Sequence, residues 1–297
     1  MLDSPWLWVI FTLIAAAAQT VRNATQRELT ATLGTAGATH VRFLFGLPFA
    51  VLFLLIVLVA SGVALPQPPP AYWPWVLQGA IAQIAATALM LAAMNDRSFV
   101  VVYAYIKTEP VQAALFGLVF LGDLVSLPMA GAILVATTGV VIMALKPGTS
   151  LDVRATLLGL AAGSMFALSA VGFRGAILSL GLPSYLMAAT FTVVAGLVIQ
   201  CVLLSAWLWL RDPKVLTAIA RHWRPSLLAG FLGALASQFW FLAFALATAA
   251  SVRTLALVEV LFAQAISAFV FGQRTTAREA AGIVLIVIGV AALVWTY

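Results

Sequence analysis

Ten apolar stretches, each close to the length of a membrane span and separated by short polar or Pro/Gly-bearing connections, account for most of this 297-residue chain. A hydrocarbon layer about 30 Å thick is crossed by about 20 apolar residues in a helix. Inside that layer every backbone amide must find its partner within the protein, so helices or a closed barrel are the only ways across. Apolar runs of this length without a two-residue alternation predict helices. The segments are Trp6–Val21, Ala38–Val59, Trp73–Met94, Val100–Leu121, Pro128–Leu145, Thr156–Phe173, Tyr185–Trp209, Ser226–Ala247, Ser251–Phe271 and Glu279–Trp295. With 64% hydrophobic and 8% charged residues and a mean hydropathy of +1.13, the chain is an integral membrane protein of all-α class. Its connections, among them the proline-rich Ser61–Tyr72 and the basic Arg211–Arg224, leave no room for a soluble domain.

Charge then orients the helices. Loops after odd-numbered segments carry Arg22, Arg27, Arg97, Lys146, Arg154, Arg211, Lys214, Arg221, Arg224, Arg274 and Arg278, whereas loops after even-numbered segments carry only Arg174. The positive-inside rule therefore puts odd loops in the cytoplasm and both termini outside. No basic residue precedes Trp6–Val21, so this run lacks the positive flank of a cleavable signal and reads as a retained helix. The net charge of +6 resides at segment ends rather than in a patch interleaved with aromatics, which argues against nucleic acid. Cys201 is the single cysteine, and His40 and His222 are the two histidines, so intrachain disulfides and histidine-rich metal sites are excluded. Without a phosphate-cradling glycine loop or a nucleophile elbow the chain reads as no enzyme, with no cofactor, and any driving force is a gradient.

A repeat with a shift of 150 residues divides the chain into residues 1–147 and 148–297. Gly46 matches Gly196, Glu109 matches Glu259 and Gly122 matches Gly272; AGAILVATTGVVIMAL from Ala130 aligns without a gap to AAGIVLIVIGVAALVW from Ala280. Five helices per half force the halves to cross in opposite senses. Such inverted repeats characterise transporters that bind solute near the midplane between repeats.

The stretch YIKTEPV, residues 105–111, places charge and a helix breaker inside the fourth segment. Pro110 cannot donate to the Ile106 carbonyl, which predicts a kink there, either a hinge for a gate or a static bend. Glu109 lies near mid-membrane, where a charge costs at least about 2.5 kcal/mol, so it faces protein. Lys107 sits on a different side of the same helix and needs other surroundings. For Glu109 and its repeat equivalent Glu259 three roles stay open: an interhelical bond joining the halves, proton coupling, or contact with a solute ammonium.

Polar stripes supply candidate solute contacts. Gly79, Gln83, Thr87, Met90 and Met94 share one helical face, and the eighth segment offers Gly230, Ala234, Gln238, Phe241 and Ala245 in register. The first segment offers Thr12, Gln19 and Asn23. Each amide serves equally as glue between helices, and Gly159-x-x-x-Gly163 is a packing motif. Met90, Met94, Tyr103, Trp240 and Phe241 would add a soft, aromatic lining suited to an amphipathic solute. His40 and Arg42 open the second segment; Arg42 either draws a carboxylate or snorkels.

Several of these stretches carry a resemblance. VRFLFGLPFA at Val41, TEPVQAALFGLVFLGD at Thr108 and AGAILVATTGVVIMAL at Ala130 resemble the EamA-type domain of the drug/metabolite transporter superfamily, and the YddG-like aromatic amino acid exporter branch fits best. The resemblance implies an inner-membrane exporter with ten helices around a central cavity. The second half departs from the pattern at Glu259-Val260 and Gly272-Gln273, and loss of that proline argues against a strictly symmetric mechanism.

The expected protein is thus a secondary-type transporter exporting small amphipathic metabolites, such as aromatic or other apolar amino acids, by alternating access. Its partners are a small-molecule solute and the bilayer, with no obligate protein partner evident. Efflux of cationic drugs, a ligand-sensing receptor and an intramembrane lipid enzyme are the alternatives.

Overall fold

A computed structural model describes residues 6–96, 102, 105–144, 153–269 and 276–296. The described residues form helices and connections, with no strand among them. In chain order the helices are α1 Leu7–Leu44, α2 Leu47–Ser61, α3 Tyr72–Asp96, α4 Glu109–Leu121, α5 Leu127–Ala144 and α6 Val153–Ser179. They continue as α7 Tyr185–Arg211, α8 Pro213–Arg221, α9 Trp223–Leu246, α10 Ala249–Leu255, α11 Val258–Phe269 and α12 Ala277–Trp295. Among the described residues, five stretches, Thr32–Ser61, Val153–Ser179, Tyr185–Arg211, Trp223–Leu246 and Ala277–Trp295, are long and apolar enough to span a membrane.

Local chemistry sets the ends. Gly62 and Gly122 close α2 and α4 in the left-handed region at φ 63° and 69°, a conformation that costs glycine nothing. Ser184 and Thr248 cap α7 and α10 by accepting from Met187 and Ser251 nitrogens. Thr276 and Glu279 form a reciprocal capping box on α12.

The structure redraws several expected boundaries. The connection expected after Val21 is helical, because its residues are good helix formers with no proline or glycine before Gly34. Gly34, at φ 65° and ψ 177°, interrupts the regular geometry instead, so Arg22 and Arg27 ride on a helix rather than a loop. Similarly, α6 runs on to Ser179 and takes Arg174 out of the loop assigned to it; its Nη1 donates to the Phe244 carbonyl at 2.6 Å. The basic connection after α7 contains the short helix α8. Most consequentially, the ninth segment is two helices, α10 and α11.

The helices gather into two compact units. The first comprises Met1–Leu13, Ala85–Val171 and Ala247–Tyr297, and the second Ile14–Ile84 and Gly172–Leu246. Each takes helices from both sides of residue 147.

In the first unit α5 and α12 lie antiparallel against each other. A Cβ on Gly139 would lie 2.7 Å from the Gly282 carbonyl and 2.9 Å from the Ile286 nitrogen, while one on Gly289 would lie 2.8 Å from the Ala132 carbonyl and 2.5 Å from the Ala136 nitrogen. The contacts exchange under the 150-residue shift: residue 139 meets 282 and 286, and residue 289 meets 132 and 136. Small residues let the backbones approach this closely where lipid supplies no hydrophobic drive for association. Leu257 and Ile286 fill the adjoining core with Val140.

In the second unit α2, α7 and α9 pack together, with Leu54, Val57 and Met187 buried between α2 and α7. The Phe173 ring fills the space that glycine leaves at Gly79 and Gly196, where a Cβ would lie 2.9 Å from it in both cases.

Candidate functional site

Two clusters of buried polar groups stand out, one in each unit. The first is built on broken helices. Tyr105 and Ile106 are helical, Lys107 and Thr108 form a turn, and α4 restarts at Glu109. Thr108 N donates to the Tyr105 carbonyl at 3.2 Å and Val111 N to the Thr108 carbonyl at 3.1 Å, three-residue steps in place of the helical four. Pro110 is therefore not a kink within a continuous helix, as expected, but the second residue of a new one. That first turn has no i−4 acceptors to lose and suits a fixed φ. The break is braced from α6, where a Cβ on Gly163 would lie 3.0 Å from the Ile106 carbonyl and one on Gly159 would lie 2.8 Å from the Tyr105 Cβ.

The second half breaks one residue before the equivalent place, without any proline. Ala256 and Leu257 form the turn, with Leu257 N on the Thr254 carbonyl at 3.1 Å and Val260 N on the Leu257 carbonyl at 3.0 Å. Proline is thus not what breaks these helices, and its absence at Val260 does not remove the correspondence between the halves.

Both acids sit in the first turn of the restarting helix, where the partial positive charge of a helix N-terminus favours them. Each has a cation from the other sequence half. Lys107 Nζ donates to Glu259 Oε2 at 2.9 Å, and Arg253 Nε lies 2.8 Å from Glu109 Oε1. Glu109 and Glu259 are 5% and 3% exposed. The acids obey the repeat, but the cations do not, since Leu257 and Tyr103 occupy the positions equivalent to Lys107 and Arg253. Two acids and two cations make the cluster neutral, the arrangement under which buried charge is tolerated.

The second cluster is uncharged. Gln200 Nε2 on α7 donates to Gln83 Oε1 on α3 at 2.6 Å. Gln238 Nε2 on α9 donates to Thr190 Oγ1 at 2.7 Å, and Trp240 Nε1 donates to Gln19 Oε1 at 3.1 Å. The Phe173 and Phe241 rings lie 4.6 Å apart, centre to centre, inclined by 40°. Gln83, Gln200 and Ser237 join Phe173, Phe241 and Val193 around a cavity of about 10 Å³, room for about one water.

Of the residues singled out in the sequence, Gln19, Gln83, Gln238, Trp240 and Phe241 come together in the second unit, while Thr87 and Met90 fall in the first. Thr87 is buried, and Met90 packs on an apolar cluster of Ala93, Val102, Ile106 and Ala162. His40 is completely buried with its Nε2 2.9 Å from Ser205 Oγ. Arg42 lies half-buried, its guanidinium 5.1 Å from the Phe43 ring centre. Tyr103 and the side chains of Asn23 and Met94 lie outside the described residues. Gln200, Thr190, Ser237 and Phe173 were not anticipated. An amide inside the 27-residue apolar helix α7 was a legible signal for Gln200; the others are common residue types in membrane helices.

No curated protein matches the chain. One solved crystal structure superposes with a TM-score of 0.72 over 97% of this chain and 99% of its own at 16% sequence identity, a likeness that establishes the fold. Residues 153–295 match the EamA-like transporter family. Together with its apolar helices, this match makes the second half of the chain similar to the EamA-like transporter family of the drug/metabolite transporter superfamily.

Proposed function

We propose that this membrane transporter exports small amphipathic metabolites, with aromatic and other apolar amino acids as the first class to test. The carrying observation is the uncharged cluster of the second unit: paired amides at Gln83 and Gln200, the Ser237 hydroxyl, and the Phe173 and Phe241 rings. Amides and hydroxyls offer donors and acceptors to a zwitterion or neutral polar group, and inclined rings accept a planar apolar body. The cavity is too small for such a solute, so this is a closed arrangement that must open.

The halves at 1–147 and 148–297 are read as inverted five-helix repeats giving ten spans, a reading supported by the exchanged contacts of α5 with α12 and by the matching helix breaks. Alternating access then works by rocking about their pseudo-axis, with solute reaching a central cavity. The broken helices, rather than the proline itself, supply the places where helices bend. With Arg22, Arg27 and Arg174 set aside, the cations at the helix ends and connections that follow odd-numbered segments still favour a cytoplasmic side for odd loops, both termini outside, in a bacterial inner membrane. Efflux of cationic drugs is less well supported, because it calls for an uncommitted buried acid and both Glu109 and Glu259 already face a cation.

Uptake of radiolabelled amino acids into proteoliposomes, with and without an imposed pH gradient, tests this. Saturable, protein-dependent flux of aromatic amino acids supports the assignment. Flux of organic cations with none of any amino acid refutes it.

A further inference from the structure

Between α7 and α9 the second unit carries a surface that the transport cycle as proposed does not use. Both helices are long enough to span the bilayer, so Arg211 at the end of one and Trp223 at the start of the other lie at the same membrane boundary. The nine-residue helix α8 joins them. Its Val215, Leu216, Ala218 and Ile219 pack inward on Leu29, Leu33, Val41, Leu208 and Ala229. With that face committed to the protein, Lys214, Thr217 and Arg221 point outward and are exposed, as are Arg211 and Arg224.

Four cations and a single acid, Asp212, thus stand within fourteen residues, 211–224. They are flanked by indoles: Trp209 is 69% and Trp223 48% exposed, and the Arg224 guanidinium lies 5.4 Å from the Trp223 ring centre. Exposed tryptophan at the end of a membrane helix settles at the headgroup level. A guanidinium held at that depth presents forked donors to a phosphodiester, and clustered basic residues beside a span draw anionic lipid.

We infer that this end of the second unit, around α8, binds the headgroups of anionic phospholipids. Arg211, Lys214, Arg221 and Arg224 make the phosphate contacts, and Trp209 and Trp223 hold the surface at the interface. The inference does not depend on the solute.

Native mass spectrometry of the detergent-solubilised full chain, titrated with dioleoyl phosphatidylglycerol or dioleoyl phosphatidylcholine, tests it. Wild type should retain phosphatidylglycerol preferentially. Each neutralised cation should weaken that preference on the order of fivefold, so R221Q/R224Q should lose more than tenfold and the fourfold Gln variant all of it. R221K/R224K should keep most of the preference. R154Q, which removes an exposed cation outside the surface, should leave it unchanged. Unchanged unfolding temperatures in phosphatidylcholine establish that the variants are folded; should the fourfold variant not fold, R221Q/R224Q carries the test. Equal retention of both lipids by wild type, or an undiminished preference in R221Q/R224Q, overturns the inference. Displacement of the lipid by millimolar inorganic phosphate would also overturn it, by making this a site for free phosphate.

Discussion

Cutting one ion pair of the first unit should cost far more than deleting it. Lys107 and Glu259 meet at 2.9 Å with side chains only 8% and 3% exposed. Lys107→Met leaves the Glu259 carboxylate without its ammonium, and Glu259→Leu leaves the ammonium without its carboxylate. Removing one member of a buried pair costs about 3–5 kcal/mol, because the remaining charge is desolvated and uncompensated. Lys107→Met/Glu259→Leu removes both charges together, leaves Glu109 with Arg253 and keeps the cluster neutral. Replacement of a buried pair by apolar residues is often neutral or stabilising by about 1–4 kcal/mol. The coupling in a double-mutant cycle should therefore exceed about 3 kcal/mol, at the upper end of values for residues in contact. Thermal unfolding in one detergent is the assay: each single variant should lose roughly 6–20 °C and the double variant only a few degrees, taking roughly 2–4 °C per kcal/mol for a chain of this size. If the losses simply add, or each single variant stays within about 2 °C of wild type, the pair is not compensated in the way described.

Other substitutions probe the remaining features. Val260→Pro should cost no more than about 1 kcal/mol, the loss of the bond from Val260 N to the Leu257 carbonyl; an effect of about 3 kcal/mol or more in unfolding would mean that α11 does not restart here. Gly289→Leu drives a side chain into the Ala136 backbone, where even a Cβ would lie at 2.5 Å, and should destabilise by more than the 1–3 kcal/mol typical of overpacking. The same change at Gly131, where a Cβ meets nothing within 4 Å, should be tolerated, so equal thermal stability of the two variants would refute the close α5–α12 contact. Gln200→Leu leaves Gln83 without its amide partner; proteoliposome kinetics should show KM for the transported solute raised about tenfold, as expected for a lost polar contact. An unchanged KM would remove this pair from the solute site.

The helical class and most segment positions were legible because a bilayer leaves a chain so few options: apolar length and the absence of alternation suffice. Glu109, Glu259, Lys107 and the amides were legible as functional candidates because polar groups in such runs are costly. Their partners were not. Lys107 and Glu259 lie 152 residues apart, and no local periodicity joins residues at that distance. Arg253 falls inside the ninth apolar segment, yet nothing along the chain pairs it with Glu109 rather than with Glu259, six residues away on its own segment.

The failures have equally physical causes. Proline marked a break at residue 110, but the same break at Ala256–Leu257 has no sequence signature, because it rests on tertiary surroundings rather than on a missing amide hydrogen. The first connection was read as a loop from its polar residues, while their helix propensity carried α1 through to Gly34. By itself, then, the sequence determined a helical membrane protein with a duplicated pattern and costly charges, all consequences of local hydropathy and periodicity. Only the tertiary structure decided which charge neutralises which, where helices restart and which amides meet, since these depend on contacts between residues far apart in the chain.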